Sequence, residues 1–190
     1  MHSVRRKESF SKLVELDLSG CNLDGYAITK LNEAVVNCEP KWRSLALANN
    51  PIGNKERGAG GVAALADFLI FLKDSPLTIL NLRDCELDME SLSHLRRALR
   101  VLHRLKSIDL SRNDLNSPVV FGIIGDIKNI EIVNLANINL ELLTLTEVYP
   151  HLSKMKNVSN LDLSFNSIDD ASLRIIKKKL PNENALIMFQ

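Results

Sequence analysis

Carboxylates are the residues of this chain with the most evident potential for catalysis. Three copies of the tripeptide Asp-Leu-Ser place Asp17, Asp109 and Asp162 at equivalent points of the sequence. Two carboxylates in close contact can act as a general acid and a general base. Segments that carry Ala46 and Asn81 at the same point separate the first of these acids from the second. We therefore expect no paired-carboxylate chemistry in this chain.

The histidines and cysteines suggest neither a nucleophilic triad nor a metal site. His94, His103 and His151 belong to helical segments or their ends, and none shares a strand with a Ser or Cys nucleophile. The sequence has no C-x-x-C motif and no Cys/His cluster, so neither zinc nor another cofactor is expected. The chain is therefore predicted not to be an enzyme.

A glycine-rich segment at residues 53–61 is the remaining candidate for a chemical site. A glycine-rich loop before a helix can hold a phosphate on its backbone N–H groups. This segment lacks the Lys-Ser/Thr ending of a P-loop and the G-x-G-x-x-G spacing of dinucleotide sites. We interpret it as a surface insertion, with partner contact as the alternative and nucleotide binding as a small part of that alternative.

All of these residues lie within one repeated pattern. An apolar residue at position 0 is followed by apolar residues at positions 3, 5 and 10 and by Cys or Asn at position 8. Counted from position 8, apolar residues recur at +7, +10 and +14, which is helical spacing. Each unit is predicted to be a short strand followed by an amphipathic helix. The units start near residues 13, 42, 77, 105, 130 and 158, and a partial copy starts at 186.

The period of about 28 residues and the position-8 series resemble the ribonuclease-inhibitor-like class of leucine-rich repeats. Residues 50–66 are also similar to that class's N-x-I-G-x-x-G-A-x-x-L-A repeat, with a loop inserted. The resemblance implies an α/β fold, a right-handed β/α solenoid with a parallel sheet on the concave side and helices on the convex side. It covers residues 13–190, as about six repeats plus a partial seventh strand, and leaves residues 1–12 as a tail or partial cap. The position-8 residues, which we call the structural ladder, are Cys21, Asn50, Cys85, Asn113 and Asn166.

The fifth unit departs from the pattern at two points. Ile138 occupies position 8, where an amide would satisfy backbone groups of the turn, although Asn137 or Asn139 could substitute from a shifted position. Pro150 lies inside the helical pattern, where it removes one hydrogen bond and kinks or ends the helix. We predict a local bend or a loosened turn around Ile138 and Pro150.

Composition limits the class of partner and the compartment. A net charge of +1 argues against nonspecific nucleic-acid binding, and no apolar run is long enough to span a membrane. Cys21, Cys38 and Cys85 are predicted to be three buried thiols of a reducing compartment. We therefore expect a cytoplasmic protein, with the nucleus as the alternative, that is a monomer or part of a longer chain or assembly.

The predicted recognition surface lies on the concave side of the sheet. Positions 3 and 5 of each strand face the core, so positions 2, 4 and 6 face the concave side. The sheet alone is smaller than a standard interface, so strand-end loops, the insertion or further repeats must contribute. The candidate partner-binding residues are Glu15, Asp17, Ile79, Asn81, Arg83, Asp84, Asp109, Arg112, Ile132, Asn134, Asp162 and Phe165. Among these, only Arg83, Arg112 and Phe165 are of types enriched in binding hot spots.

The predicted function is a protein–protein interaction module or scaffold without chemistry of its own. Three alternatives stay open. One branch of the resembled class activates the small GTPase Ran by binding it, tropomodulin-like actin cappers have a repeat domain of similar size, and bacterial effectors use this repeat to bind host proteins. The basic helix residues Arg96, Arg97, Arg100 and 177–179 are interpreted as solvated outer faces, with an acidic partner or anionic surface as the alternative.

Overall fold

The computed structural model describes residues 12–56, 60–141 and 145–189, and in them strands and helices alternate along the chain. The predicted tail at residues 1–12 lies outside the described residues except for Lys12. The strands are β1 (Glu15–Asp17), β2 (Ser44–Ala46), β3 (Ile79–Asn81), β4 (Ser107–Asp109), β5 (Ile132–Asn134), β6 (Asn160–Asp162) and β7 (Leu186–Met188). The helices are α1 (Gly25–Val35), α2 (Gly61–Phe71), α3 (Met89–Val101), α4 (Val119–Gly125), α5 (Leu145–Leu152) and α6 (Asp170–Lys179), and a 3₁₀ turn (Leu72–Asp74) follows α2.

The seven strands form one parallel sheet in the order of the chain. Strands β1 to β6 pair without a shift in register, so the position-3 residues lie side by side from Leu16 through Leu45 to Leu161. In β7, Ile187 pairs with Leu161 and so takes the place that a start at residue 186 assigns to Phe189. Every crossover carries a helix, as parallel neighbours require. The predicted β/α solenoid of six repeats plus a partial seventh strand is confirmed.

The core is one continuous apolar layer between the sheet and the helices. Every described residue at the predicted helical positions is buried or half-buried, and Leu65, Leu95 and Leu99 are fully buried. In the second unit the rings of Trp42 and Phe68 meet edge to face, with centroids 6.2 Å apart. The apolar spacing therefore identified the residues that hold the units together. Within the described ranges, no helix has both the length and the apolar character needed to cross a membrane.

Aspartate side chains fix the start of three helices. Asp24, Asp88 and Asp169 have extended backbones, and each carboxylate accepts the backbone N–H three residues further on. At Asp88 the distance from Oδ1 to the backbone nitrogen of Ser91 is 2.7 Å. This bond satisfies one of the N–H groups that the first turn of a helix leaves without a partner.

Loss of the Asp88 cap is expected to destabilise the protein in a pH-dependent way. Hydrogen bonds from the side chain and backbone of Ser91, with help from Lys55, lower the pKa of Asp88 to about 2. Because the folded state lowers this pKa, the ionised carboxylate stabilises the fold above about pH 4, and the effect is lost as pH falls toward 2. Asp88→Ala should lower the free energy of unfolding by about 1 kcal/mol at pH 7, measured by urea denaturation.

The difference between wild type and Asp88→Ala should shrink as the measurements approach pH 2. Asp67→Ala is the matched control, since Asp67 is an exposed carboxylate in the interior of α2 rather than a cap. A difference for Asp88→Ala that stayed constant down to pH 2 would show that the charged cap is not the source of the effect.

Asparagines at position 8 join the units in pairs. Asn50, Asn113 and Asn166, in the second, fourth and sixth units, each bond to the unit before them. The Nδ2 of Asn113 donates to the carbonyl oxygens of Leu82 and Leu110 at 2.8 Å and of Ser111 at 3.3 Å. Its Oδ1 accepts the backbone N–H groups of Cys85 and Leu87, each at 3.0 Å. One amide thus satisfies five backbone groups across two units.

The first, third and fifth units use a different turn. Their position-9 residues have left-handed backbones, with φ of 55° at Asn22, 56° at Glu86 and 59° at Asn139, whereas those of the other three units do not. Their position-8 side chains form fewer hydrogen bonds than the asparagines of the other units. The Sγ of Cys85, for example, donates to the carbonyl oxygen of Leu47 at 3.1 Å. The turn types therefore alternate along the solenoid.

The predicted loosening of the turn at Ile138 is wrong. Ile138 is fully buried, and its N–H and that of Leu140 donate to the Oδ1 of Asn166 at 3.0 and 3.1 Å. The prediction failed because the ladder amide satisfies the turn of the preceding unit, so the fifth turn needs Asn166 rather than an amide of its own. At the second irregular point, helix α5 continues through Pro150 and ends at Leu152.

The prediction of three buried thiols also needs correction. Cys38 and Cys85 are buried, but Cys21 is exposed. A position-8 side chain is covered by the unit before it, and within the described chain no strand precedes β1. Burial raises the pKa of the Cys85 thiol to about 12, so this side chain is protonated at neutral pH.

Candidate functional site

Most of the candidate partner-binding residues lie on the concave face, but several of them also hold the strand ends. The position-4 side chains, apart from Ala46, accept the backbone N–H of position 6 in their own unit. These bonds run from Ser19 to Asp17, Arg83 to Asn81, Ser111 to Asp109, Ala136 to Asn134 and Ser164 to Asp162, at 2.9–3.0 Å. The row therefore closes five strands, β1, β3, β4, β5 and β6, with an Asx turn, a structural role that the sequence analysis did not assign.

Asp109 is the most fully bonded carboxylate of this row. Its Oδ1 also accepts the hydroxyl of Ser111 at 2.6 Å, and its Oδ2 accepts the side-chain amide of Asn134 at 3.2 Å. Hydrogen bonds from Ser19 lower the pKa of Asp17, so that carboxylate is ionised at neutral pH. These acids are used within the sheet, and Asp17, Asp109 and Asp162 lie in the non-adjacent strands β1, β4 and β6.

Five of the twelve candidates come together in one open depression at the carboxyl ends of the strands. Arg83, Arg112, Asn134, Asp162 and Phe165 line it, together with Ser111, Ala136 and Asn137. Its volume is about 410 Å³. The small residues Ser111 and Ala136, at position 6 of the fourth and fifth units, line it between the larger side chains of Arg83 and Phe165. We refer to it as the concave depression.

The other seven candidates do not line the concave depression. Ile79 and Ile132 present apolar side chains at position 2, each 46% exposed. Glu15 and Asp17 are exposed at the β1 edge, while Asn81, Asp84 and Asp109 are half-buried. They form the wider concave surface around the depression.

Two residues of the concave depression have an unfavourable backbone. Position 7 is left-handed in all six units, and Gly20, Asn49, Asp84 and Asn137 are types that tolerate this conformation. The remaining two units place Arg112 there with φ of 58° and Phe165 with φ of 61°. Arginine and phenylalanine at such positions are uncommon, and strained residues of this kind cluster at functional sites. The position-7 series was readable in the sequence, and comparing its members would have singled out these two residues.

Comparisons with known proteins agree with the geometry of the fold. The family model described as Leucine Rich Repeat matches residues 12–33. The chain superposes on the leucine-rich repeat-containing protein LegL7 of Legionella pneumophila with a TM-score of 0.55 and 22% identity, covering 97% of this chain and 69% of that one. The chain has the leucine-rich repeat fold.

Two further relatives show the range of proteins that share this leucine-rich repeat architecture. Internalin C2 of Listeria monocytogenes matches with a TM-score of 0.51 and 15% identity, over 97% of this chain and 84% of that one. Human NACHT, LRR and PYD domains-containing protein 13 is 28% identical over 171 residues, which is 88% of this chain. The match spans only 16% of the human protein.

The described part of the insertion contacts the third unit through polar side chains. The Nζ of Lys55 lies 3.0 Å from Asp88 and 2.9 Å from Glu90, and the Nδ2 of Asn54 donates to Glu86 at 2.6 Å. Residues 57–59 of the insertion lie outside the described residues. Because Lys55 is paired with two carboxylates, the described part of the insertion does not favour phosphate binding.

The basic helix face of α3 is partly neutralised. Arg96 pairs with Asp126 at 2.5 Å, and Lys154 lies 3.4 Å from the same carboxylate, whereas Arg97 and Arg100 are exposed. Across the described part of the chain, no cluster of three or more His, Cys, Asp or Glu side chains is arranged to hold a metal ion. The concave depression is the candidate site in which five of the predicted partner-binding residues come together.

Proposed function

We propose that this protein is a non-enzymatic recognition module that binds a protein partner through its concave face and the adjoining turns. The observation that carries the proposal is the concave depression, where Arg83, Arg112 and Phe165 are gathered. Arginine and aromatic residues dominate binding hot spots because each combines a large contact area with directional bonding. Phe165 is 69% exposed, so its ring contributes little to the core and is available to a partner.

The left-handed backbone at Arg112 and Phe165 supports this assignment energetically. Holding such residues at positive φ costs on the order of 1 kcal/mol each. The second and fifth units place Asn49 and Asn137 at the same position with φ of 54° and so avoid much of this cost. Folding alone would favour asparagine, so the arginine and phenylalanine are better explained by what their side chains contact.

The wider concave face supplies further contact area. Ile79 and Ile132 are exposed on the same side of the sheet as the concave depression. The sheet of seven strands is only about 30 Å across, at about 4.8 Å per strand. A standard interface takes about 800 Å² from each partner, so turns, the insertion or other parts of a longer chain must add to it. We propose residues 13–190 as the binding domain, acting as a monomer or within a longer chain or assembly.

We further propose that the protein acts without catalysis in a reducing compartment, the cytoplasm or nucleus. The separation of Asp17, Asp109 and Asp162 in non-adjacent strands argues against acid–base chemistry. Free Cys38 and Cys85, both buried, are typical of an intracellular environment.

Affinity capture with matched variants tests the proposed function. Arg112→Asn with Phe165→Asn removes two side chains of the concave depression but keeps a residue type that tolerates positive φ. We expect this double variant to unfold at a higher urea concentration than wild type, gaining up to about 2 kcal/mol from the two positions together. Proteins captured from a lysate of the source cells by wild type should be depleted about tenfold with the variant, as measured by quantitative mass spectrometry.

The control is Tyr26→Ala with Arg97→Ala, which removes an exposed aromatic ring and an exposed arginine from the helical side. Its captured proteins should match those of wild type. If the concave double variant folds and keeps every captured protein, the proposed recognition surface is wrong.

A further inference from the structure

We infer that the concave depression recognises an acidic segment of the partner, with a carboxylate held by Arg83 and Arg112 and a neighbouring apolar side chain packed on Phe165. The inference rests on the proposed function and adds the chemistry of the ligand. It follows from a contrast between the charged groups on this face. The two arginines form no ion pair within the described residues, whereas Asp109 and Asp162 accept hydrogen bonds within the fold.

The two guanidinium groups of the concave depression are available to a ligand. Lys30, Lys55, Arg96, Lys106 and Lys154 each lie within 4.0 Å of a carboxylate. In the part of the chain that the structure describes, neither Arg83 nor Arg112 forms such an ion pair. Both side chains nevertheless line the same depression, in the third and fourth units.

Carboxylates of this face already accept hydrogen bonds from neighbouring residues of the protein. Both oxygens of Asp109 accept hydrogen bonds, from Ser111 and from Asn134. Asp162 is the one carboxylate among the lining residues, and its Oδ1 accepts the backbone N–H of Ser164. The two guanidinium groups and the one carboxylate give the lining a formal charge of +1, which attracts an anion to the depression.

The shape and lining of the depression favour a peptide carboxylate. A guanidinium donates through a planar fork that matches the two oxygens of a carboxylate. Phe165 stands exposed at the far wall and offers an apolar surface next to that charge. The depression is open to solvent along the strand ends, and this suits an extended segment better than an enclosed small molecule.

Selection from a random dodecapeptide display library tests this inference, with wild type and Arg83→Gln/Arg112→Asn as parallel targets. Glutamine keeps the approximate length of Arg83, and asparagine tolerates the left-handed backbone at position 112. Urea denaturation first establishes that the double variant is folded. We expect the wild-type pool to be enriched about threefold in Asp and Glu beside aromatic or large aliphatic residues, and the variant pool to lack this enrichment.

Individual peptides from the wild-type pool give the quantitative readout. Their dissociation constants should rise about tenfold in the double variant, and they should also rise between about 0.05 and 0.3 M salt. A neutral or basic pool, the absence of any enriched peptide, or an acidic pool recovered equally by the variant would each overturn the inference.

The affinity capture distinguishes failure of this inference from failure of the proposed function. Captured partners that still depend on Arg112 and Phe165, without an acidic peptide pool, would leave the recognition surface in place and refute only its ligand chemistry. Partners that are retained by the Arg112→Asn/Phe165→Asn variant would refute both.

Discussion

Replacing Asn113 with alanine is expected to lower the free energy of unfolding by about 3 kcal/mol, because buried backbone groups on both sides of the substitution lose their partner. The Nδ2 of Asn113 donates to three carbonyl oxygens, and its Oδ1 accepts the N–H groups of Cys85 and Leu87. Asn113 itself is only 3% exposed, so water cannot replace the lost bonds without opening the turn. The cost should exceed that of a single hydrogen bond, which is about 1 kcal/mol.

Urea denaturation monitored by circular dichroism measures this loss, and Asn157→Ala is the matched control. Asn157 is exposed, and its Nδ2 donates to the carbonyl oxygen of Lys128 at 3.0 Å. We expect the control to change stability by about 0.5 kcal/mol. Cys85→Ala should fall between the two, since the Cys85 thiol is buried but donates to few carbonyls. Equal losses for Asn113→Ala and Asn157→Ala would contradict the bonding role of the ladder.

The fold was predictable from the sequence because its determinants repeat at fixed spacing. The apolar residues at positions 3 and 5, exemplified by Leu80 and Leu82, are buried beneath the sheet. Those on the helices, such as Leu92, Leu95 and Leu99, lie in the same core. A solenoid buries each unit against its immediate neighbours, so the pattern of one unit already contains the long-range contacts.

The ladder was predicted less well because its hydrogen bonds join two units. The sequence shows Ile138 in the place of an amide, but it does not show that Asn166 satisfies that turn from the next unit. The left-handed position-9 residues Asn22, Glu86 and Asn139 mark the alternate turn type. In the structure, the position-8 side chain bridges two units in every second unit, at Asn50, Asn113 and Asn166.

The sequence predicted which face of the sheet carries the candidate site, but not which residues come together on that face. Strand alternation placed Arg83, Asp109 and Asp162 on the concave side. It did not show that the Asp109 carboxylate is occupied within the sheet while the Arg83 guanidinium has no ion pair in the described chain. Nor did it show that Ser111 and Ala136 leave a depression between the larger side chains. Such features depend on side-chain direction, which residue spacing does not specify.

Two helices meet at glycine, and a substitution there gives the second large expected effect. Gly25 and Gly61 are the first residues of α1 and α2. A Cβ on Gly25 would lie 2.5 Å from the Cα of Gly61, and a Cβ on Gly61 would overlap the carbonyl oxygen of Ile52. These obstacles are backbone atoms, which cannot rotate away as a flexible side chain would. We expect Gly61→Ala to lower the free energy of unfolding by about 3 kcal/mol.

The sign of the Gly61→Ala effect is what makes this test decisive. Helix propensity alone favours alanine over glycine by up to about 1 kcal/mol, so without the close approach the variant would be more stable than wild type. Gly20→Ala is the control, because Gly20 has φ of 66° but open space around its Cβ position. It should lose only the conformational cost of about 1 kcal/mol. A stabilised Gly61→Ala protein in urea denaturation would mean that the first residue of α2 does not lie against the carbonyl oxygen of Ile52.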